Sequence, residues 1–169
     1  MKTWLITDTH FFHDKLTELC ERPADFTDRI AANWKRMIAK EDLIFHLGDL
    51  SIGKKQPTKD LLGSLPGRKV LILGNHDHES VGWYLTNGFS SVCQSMVFRN
   101  ALLTHAPANS LPANAVINVH GHLHNNAHRL IEVGGFYPQP WHKLLAIENT
   151  RYEPVLWEKF VGQPPLIQL

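Results

Sequence analysis

Nowhere in the 169-residue chain is there an apolar run of the roughly 18–20 residues that a membrane-spanning helix needs. A membrane partner is therefore not expected. The amino terminus, Met1-Lys2-Thr3-Trp4-Leu5-Ile6-Thr7-Asp8, turns polar too early for a secretion signal and reads as a first strand. Cysteine is scarce. Cys20 and Cys93 stand far apart and fit no metal spacing, so two free thiols in a cytoplasmic protein are expected. A dominant charge is also missing: 17 basic against 16 acidic side chains leave a formal net charge of +1. That argues against long nucleic acid as a partner, because such binding rests on phosphate neutralisation. Repeats, low-complexity tracts and linkers are absent too. With 43% apolar and 20% charged residues, a single domain over residues 1–169 is expected.

What the chain does have is histidine, 11 in all, and their placement matters more than their number. Short apolar runs, the sign of strands buried on both faces, repeatedly stop at a polar cluster. Lys2–Thr7 runs into Asp8-Thr9-His10, Leu43–Leu47 into Gly48-Asp49, and Lys69–Leu73 into Gly74-Asn75-His76-Asp77. Ala101–Thr104 runs into His105, and Ala115–Val119 into His120-Gly121-His122-Leu123-His124. Helices are predicted between the first three strands, one near residues 25–40 capped by Asp25 or Thr27 and one over Thr58–Leu65 stopped by Pro66-Gly67. Another helix is predicted over Glu79–Thr86, ending at Asn87-Gly88. Ser90–Gln94, Met96–Phe98, Arg129–Val133 and Leu144–Glu148 read as further strands, and Pro154–Val161 fits a strand or a helical turn. The first half is thus β-α-β-α-β with parallel pairing, and the second half holds closely spaced strands. The fold class expected is α/β, with two mixed sheets packed as a sandwich and helices outside.

Ligands in open α/β sheets bind beyond the carboxyl ends of strands, where these clusters fall. In Asp8-x-His10 and His122-x-His124, residues two apart in extended chain point the same way. Glycines at 48, 74 and 121 allow backbones to crowd together. The donors are imidazoles, carboxylates and an amide, without thiolate, which suits Mn²⁺, Fe, Zn²⁺, Co²⁺ or Ni²⁺. Seven candidates, namely Asp8, His10, Asp49, Asn75, His105, His122 and His124, exceed the roughly four ligands one ion takes. Two divalent ions sharing a carboxylate are the economical solution. Their charge, reduced by Asp8 and Asp49, leaves a site that attracts phosphate.

In this order, Asp8-x-His10, Gly48-Asp49, Gly74-Asn75-His76-Asp77, His105 and Gly121-His122-x-His124 resemble the motifs of the calcineurin-like metallophosphoesterase superfamily. Asp8-Thr9-His10-Phe11-Phe12-His13 and Phe45-His46-Leu47-Gly48-Asp49-Leu50 resemble its small bacterial and phage single-domain members, which usually carry glycine where Phe12 stands. The resemblance implies a four-layer arrangement and a hydrolase of phosphate esters with manganese as the favoured metal. It implies that Asp8, His10 and His124 hold one ion, that Asn75, His105 and His122 hold the other, and that Asp49 bridges. It further implies attack by a metal-bridging hydroxide, with His76 assisting the leaving group or transition state and Asp77 orienting the His76 ring.

Singly, each of these residues could serve a turn or a cap; that does not account for their gathering at strand ends. His13, next to the first motif, and Arg22, about a dozen positions on, are candidates for a substrate phosphate. His46 reads as a hydrogen-bonded core histidine, and His78, His128 and His142 as loop or solvent-facing residues. Trp83, Tyr84, Phe136, Tyr137 and Trp141 offer rings that core packing and loop anchoring explain. With no length for a large cap domain, an open site is expected, which favours a phosphodiester, including a nucleotide, over a phosphomonoester. A nuclease acting on DNA or RNA ends and a non-catalytic scaffold on the same fold are the competing readings.

Overall fold

The computed structural model describes residues 1–132 and 135–162. Two sheets form its centre. In the first, β1 (Thr3–Ile6), β2 (Leu43–His46), β3 (Arg68–Ile72) and β4 (Phe89–Cys93) pair in parallel. β9 (Val155–Leu156) closes the far edge antiparallel to β1, giving the order β4-β3-β2-β1-β9. The second has the order β5-β6-β7-β8. β5 (Met96–Phe98) and β6 (Ala101–Leu103) form a hairpin, while β7 (Ile117–His120) and β8 (His142–Leu144) add in parallel. The hairpin turn is Arg99-Asn100, both at positive φ, the two-residue form that matches strand twist.

Period-two alternation explains the layers. Leu5, Phe45, Val70 and Ile72 point to one face of the first sheet and pack on Ala101, Leu103 and Val119 of the second. Trp4, Ile6, Ile44 and Leu71 point to the other face. There they meet α1 (Leu16–Leu19), α2 (Phe26–Met37), α3 (Lys55–Ser64) and α4 (Val81–Thr86), which contribute Leu16, Ile30, Trp34, Leu62 and Tyr84 to the same core. On the outer face of the second sheet, Leu144 and Ala146 pack against Ala127, Leu130 and Ile131. The order helix, sheet, sheet, helix is the expected four-layer sandwich. Among the described residues, no helix is long and apolar enough to cross a membrane.

Several elements differ from the sequence expectation. Arg129–Val133 was expected as a strand. Ala127–Glu132 is instead α5, because Ala127, Leu130 and Ile131 share a helical face; Val133 lies outside the described residues. β8 ends at Leu144, and Glu148 belongs to the 3-10 turn Ile147–Thr150 rather than to a strand. Pro154–Val161 is both things: β9, then α6 (Trp157–Val161). His142, expected in a loop, is buried in β8, with one ring nitrogen on the Ala108 carbonyl and the other on the Gln139 N–H. Asp25 makes no side-chain cap; its carboxylate pairs with Arg29 one turn on, and Thr27 takes the Phe12 N–H. Both cysteines are free, as expected.

His46 is the core histidine the sequence suggested, and its bonding fixes its tautomer. Nδ1 accepts the Gly48 N–H, so Nε2 carries the proton and donates to Thr9 Oγ1, whose hydroxyl donates to the Leu50 carbonyl. Burial holds this ring down at about 3 from an ordinary 6.5. Below pH 6.5 the unfolded chain takes up a proton that the folded ring refuses, so this contribution falls as pH drops from 6.5 toward 3. The metal-free protein should lose up to about 1.4 kcal/mol per pH unit from this one site. Urea unfolding with a chelator at pH 7 and pH 5.5 checks it. A His46→Gln variant should show a slope shallower by a part of that limiting amount, and an unchanged slope would remove the assignment.

Candidate metal centre

The loops that follow β1 and β2 stay paired after the strands end. Asp8 N–H donates to Gly48 O, His10 N–H to Asp49 O, and Phe11 N–H to Leu50 O, each at 2.9 Å. The second sheet is tied in where Gly121 N–H donates to His105 O and His122 N–H donates to the Asp8 carboxylate at 3.0 Å. Glycine is required at this seam. At Gly48, φ is +96° and a Cβ would lie 2.6 Å from His105 Nδ1 and 2.7 Å from the Gly74 Cα. At Gly121 it would collide with the Asp8 carboxylate and the Thr7 hydroxyl.

The paired ligand candidates do not lie in extended chain, as the sequence spacing suggested. Asp8, His10, Asp49, His122 and His124 have φ between 44° and 70°, a left-handed conformation uncommon outside glycine and found where surrounding structure enforces it. Both members of each pair share that conformation, while the residue between turns away. Thr9 turns to His46, and Leu123 turns into the core beside α5. Phe12, where glycine is usual in the resembling proteins, also has positive φ, 67°, so the loop keeps the shape a glycine would allow.

Three donor groups result among the described residues; Cys20, His124 and Glu148 form one, and the other two lie at the seam. Asp8, His10 and His124 offer one set of nitrogen and oxygen atoms within 4.8 Å of each other, and Asp49, His105 and His122 offer another. Asn75 joins the second, its Oδ1 lying 2.9 Å from His105 Nε2. Asp49 Oδ2 sits between the two groups at the seam, 3.3 Å from His10 Nε2 and 3.4 Å from His105 Nε2.

The donor chemistry fits a cation. His105 Nδ1 lies 2.8 Å from the Leu47 carbonyl, which can only accept, so Nδ1 holds the proton and a neutral ring has a lone pair on Nε2. That lone pair faces Asn75 Oδ1, Asp49 Oδ2 and, at 3.1 Å, His122 Nδ1. His124 repeats the pattern. Its Nδ1 is 2.9 Å from Glu148 Oε1, leaving Nε2 toward Asp8 Oδ1. Acceptors crowded in this way repel unless a positive charge joins them. Local electrostatics agree. Burial opposes a charge on His124, yet bonds to Cys20 and Glu148 and the Asp8 charge hold it up at about 10, so the centre favours positive charge there. Burial also opposes ionisation of Asp49, but without metal a protonated His105, by its hydrogen bond and its charge, and the His76 N–H keep it well below the usual carboxylate range. Burial holds His10 down at about 2, a neutral ring with a lone pair to offer.

Around the donors lie two further rings, His76 and His13, with centroids 5.5 and 5.7 Å from that of His10. His76 is exposed and His13 half-buried. Two expected roles are corrected. Arg22 does not face a substrate phosphate. It is 3% exposed, and its guanidinium donates to the carbonyls of Asp8 and Thr9 and to Glu148 Oε1 at 2.6 Å. It fixes the backbone that carries Asp8 and His10. Asp77 does not orient the His76 ring. Its carboxylate accepts the N–H groups of Asp49, Leu50 and Gly74 at 2.8–2.9 Å, locking the second and third loops together. Glu148 was not singled out from sequence. It lies in the 3-10 turn Ile147–Thr150, 24 residues after His124, and no local spacing marks it as the acceptor that sets that ring's tautomer.

A family profile described as calcineurin-like phosphoesterase matches residues 1–167. An uncharacterized protein of Methanocaldococcus jannaschii is 31% identical over 91% of this chain and 86% of its own length. The gene 66 protein of Mycobacterium phage D29 is 29% identical over 88% of this chain and 93% of its own. Among solved structures, a protein of unknown function from Aquifex aeolicus superposes with a TM-score of 0.70 at 22% identity, covering 95% of this chain and 98% of its own, a likeness of fold.

Proposed function

The chain belongs to the calcineurin-like phosphoesterase family, and we propose that it hydrolyses phosphodiesters at a dinuclear centre of divalent transition ions, with manganese favoured. Asp8, His10 and His124 would hold one ion, Asn75, His105 and His122 the other, and Asp49 both. The observation that carries this reading is the position of Asp49 Oδ2, within 3.4 Å of a histidine nitrogen from each donor group at the seam. When bound, the ions supply Lewis acidity to phosphate oxygens and lower the pKa of water toward neutrality.

The chain's own residues supply the rest. His76, exposed beside His10, donates a hydrogen bond or a proton to the leaving oxygen. Its N–H is anchored on Asp49 Oδ1 at 2.9 Å, so the loop that carries this ring is referenced to the bridging carboxylate. His13 faces the same space from the first loop and is assigned to a substrate oxygen. Asp77 and Arg22 hold the loops in register and touch no substrate.

The test is metal analysis coupled to turnover. Protein supplied with Mn²⁺ should carry about two ions per chain and cleave bis-p-nitrophenyl phosphate faster than p-nitrophenyl phosphate. Fewer than about one ion, with no cleavage of either ester under Mn²⁺, Ni²⁺ or Zn²⁺, would overturn the reading.

A further inference from the structure

Bordered by His76 and by none of the seven ligand candidates lies a cavity of about 230 Å³ that the proposed reaction does not use. His76 and His78 both line it, their rings edge-to-face at 6.2 Å. Trp83 and Tyr84 line it from α4, which Ser80 caps by accepting the Trp83 N–H. Lys54 and Lys55 line the cavity as well. Lys55 is held by Glu79 at 2.6 Å, with its ammonium 5.6 Å over the Trp83 ring. Lys54 reaches toward the first loop, 6.0 Å over Phe12, with the Asp14 carboxylate 3.8 Å away. The wall is therefore amphipathic, made of indole and lysine stems under two ammonium groups.

We propose that this cavity is the subsite for the substituent on the ester oxygen that faces His76, and that it selects a flat aromatic or heteroaromatic ring. The inference rests on the phosphoesterase reading for its direction. If His76 serves the leaving oxygen, whatever hangs from that oxygen extends past His76 into this space. The ring preference follows from the wall. A flat ring gains contact with Trp83 that an alkyl group of similar reach does not. An aryl ester and a nucleotide share this chemistry.

Non-hydrolysable phosphonates separate the subsite from the reaction. Calorimetric titration of the Mn²⁺-loaded protein should give a dissociation constant about tenfold lower for phenylphosphonate than for methylphosphonate. Inorganic phosphate and adenosine 5′-monophosphate, titrated alongside, distinguish the bare anion from a nucleoside source of the ring. Trp83→Leu should bring the phenyl and methyl constants to within about twofold while leaving the inorganic phosphate constant unchanged. Lys55→Ala, at an exposed position that leaves the core intact, should narrow the ratio about threefold and serves if the tryptophan variant folds poorly. Equal constants in the unaltered protein, or a ratio that survives both substitutions, would overturn the subsite. A phenyl preference in protein that cleaves no phosphodiester would keep the subsite and remove the hydrolase reading. Cleavage without the preference would do the reverse.

Discussion

Asp49→Asn is expected to leave at most about one ion per chain and to lower kcat for bis-p-nitrophenyl phosphate by roughly 10³-fold or more. The substitution is nearly isosteric. The backbone N–H of residue 49 remains on Asp77, and an amide oxygen can still accept the His76 N–H. What it removes is charge. Asp49 Oδ2 lies 3.3 Å from His10 Nε2 and 3.4 Å from His105 Nε2, so one carboxylate serves both donor groups at the seam. Without it, Asp8 is the remaining carboxylate among the seven proposed ligands, and the group built on Asn75, His105 and His122 keeps none. Metal content by elemental analysis, read beside turnover and a thermal melt, distinguishes this from misfolding. A folded variant with two ions would show that Asp49 does not bridge.

His76→Gln should have the opposite signature. Both ions stay, since His76 belongs to none of the donor groups, while kcat falls by roughly 10²-fold or more, the scale for a positioned acid or electrostatic donor. The backbone N–H that binds Asp49 is retained in the variant, so the loop keeps its anchor. A glutamine amide can donate a hydrogen bond but cannot give up a proton at neutral pH. The loss should therefore shrink for esters with more acidic leaving groups if His76 acts as an acid, and stay constant if it acts by electrostatics alone. Loss of an ion from this variant would mean that His76 is a ligand and that its assigned role is wrong.

The strand ends were legible because each signal is local. An apolar run, then glycine or aspartate, then histidine reports a buried strand meeting a polar turn, and the structure gathers those turns at one seam. Less legible were residues whose work depends on distant partners. Arg22 and Glu148 bond each other across 126 positions, and without that contact Arg22 looks like a spare cation near a phosphate site. Asp77 follows His76 directly, which invites pairing with its neighbour; its carboxylate instead spans to N–H groups 27 and 28 residues earlier. The helix at Ala127–Glu132 was misread because a short run holding Leu130, Ile131 and Val133 suits either period until the face of Leu144 and Ala146 is known.

By itself, the sequence determined the donor chemistry, the placement of seven ligand candidates at strand ends and the alternation that makes two sheets, because residue type and spacing of a few positions carry them. Tertiary structure decided which atoms face one another. It set the left-handed backbones that aim Asp8, His10, Asp49, His122 and His124, the tautomers imposed by Leu47 and Glu148, and the clamp made by Asp77. It also formed the cavity beside His76, whose walls come from the loops after β2 and β3 and from α3 and α4. These are properties of distances between chain-remote groups, and such distances exist only once the two sheets have packed.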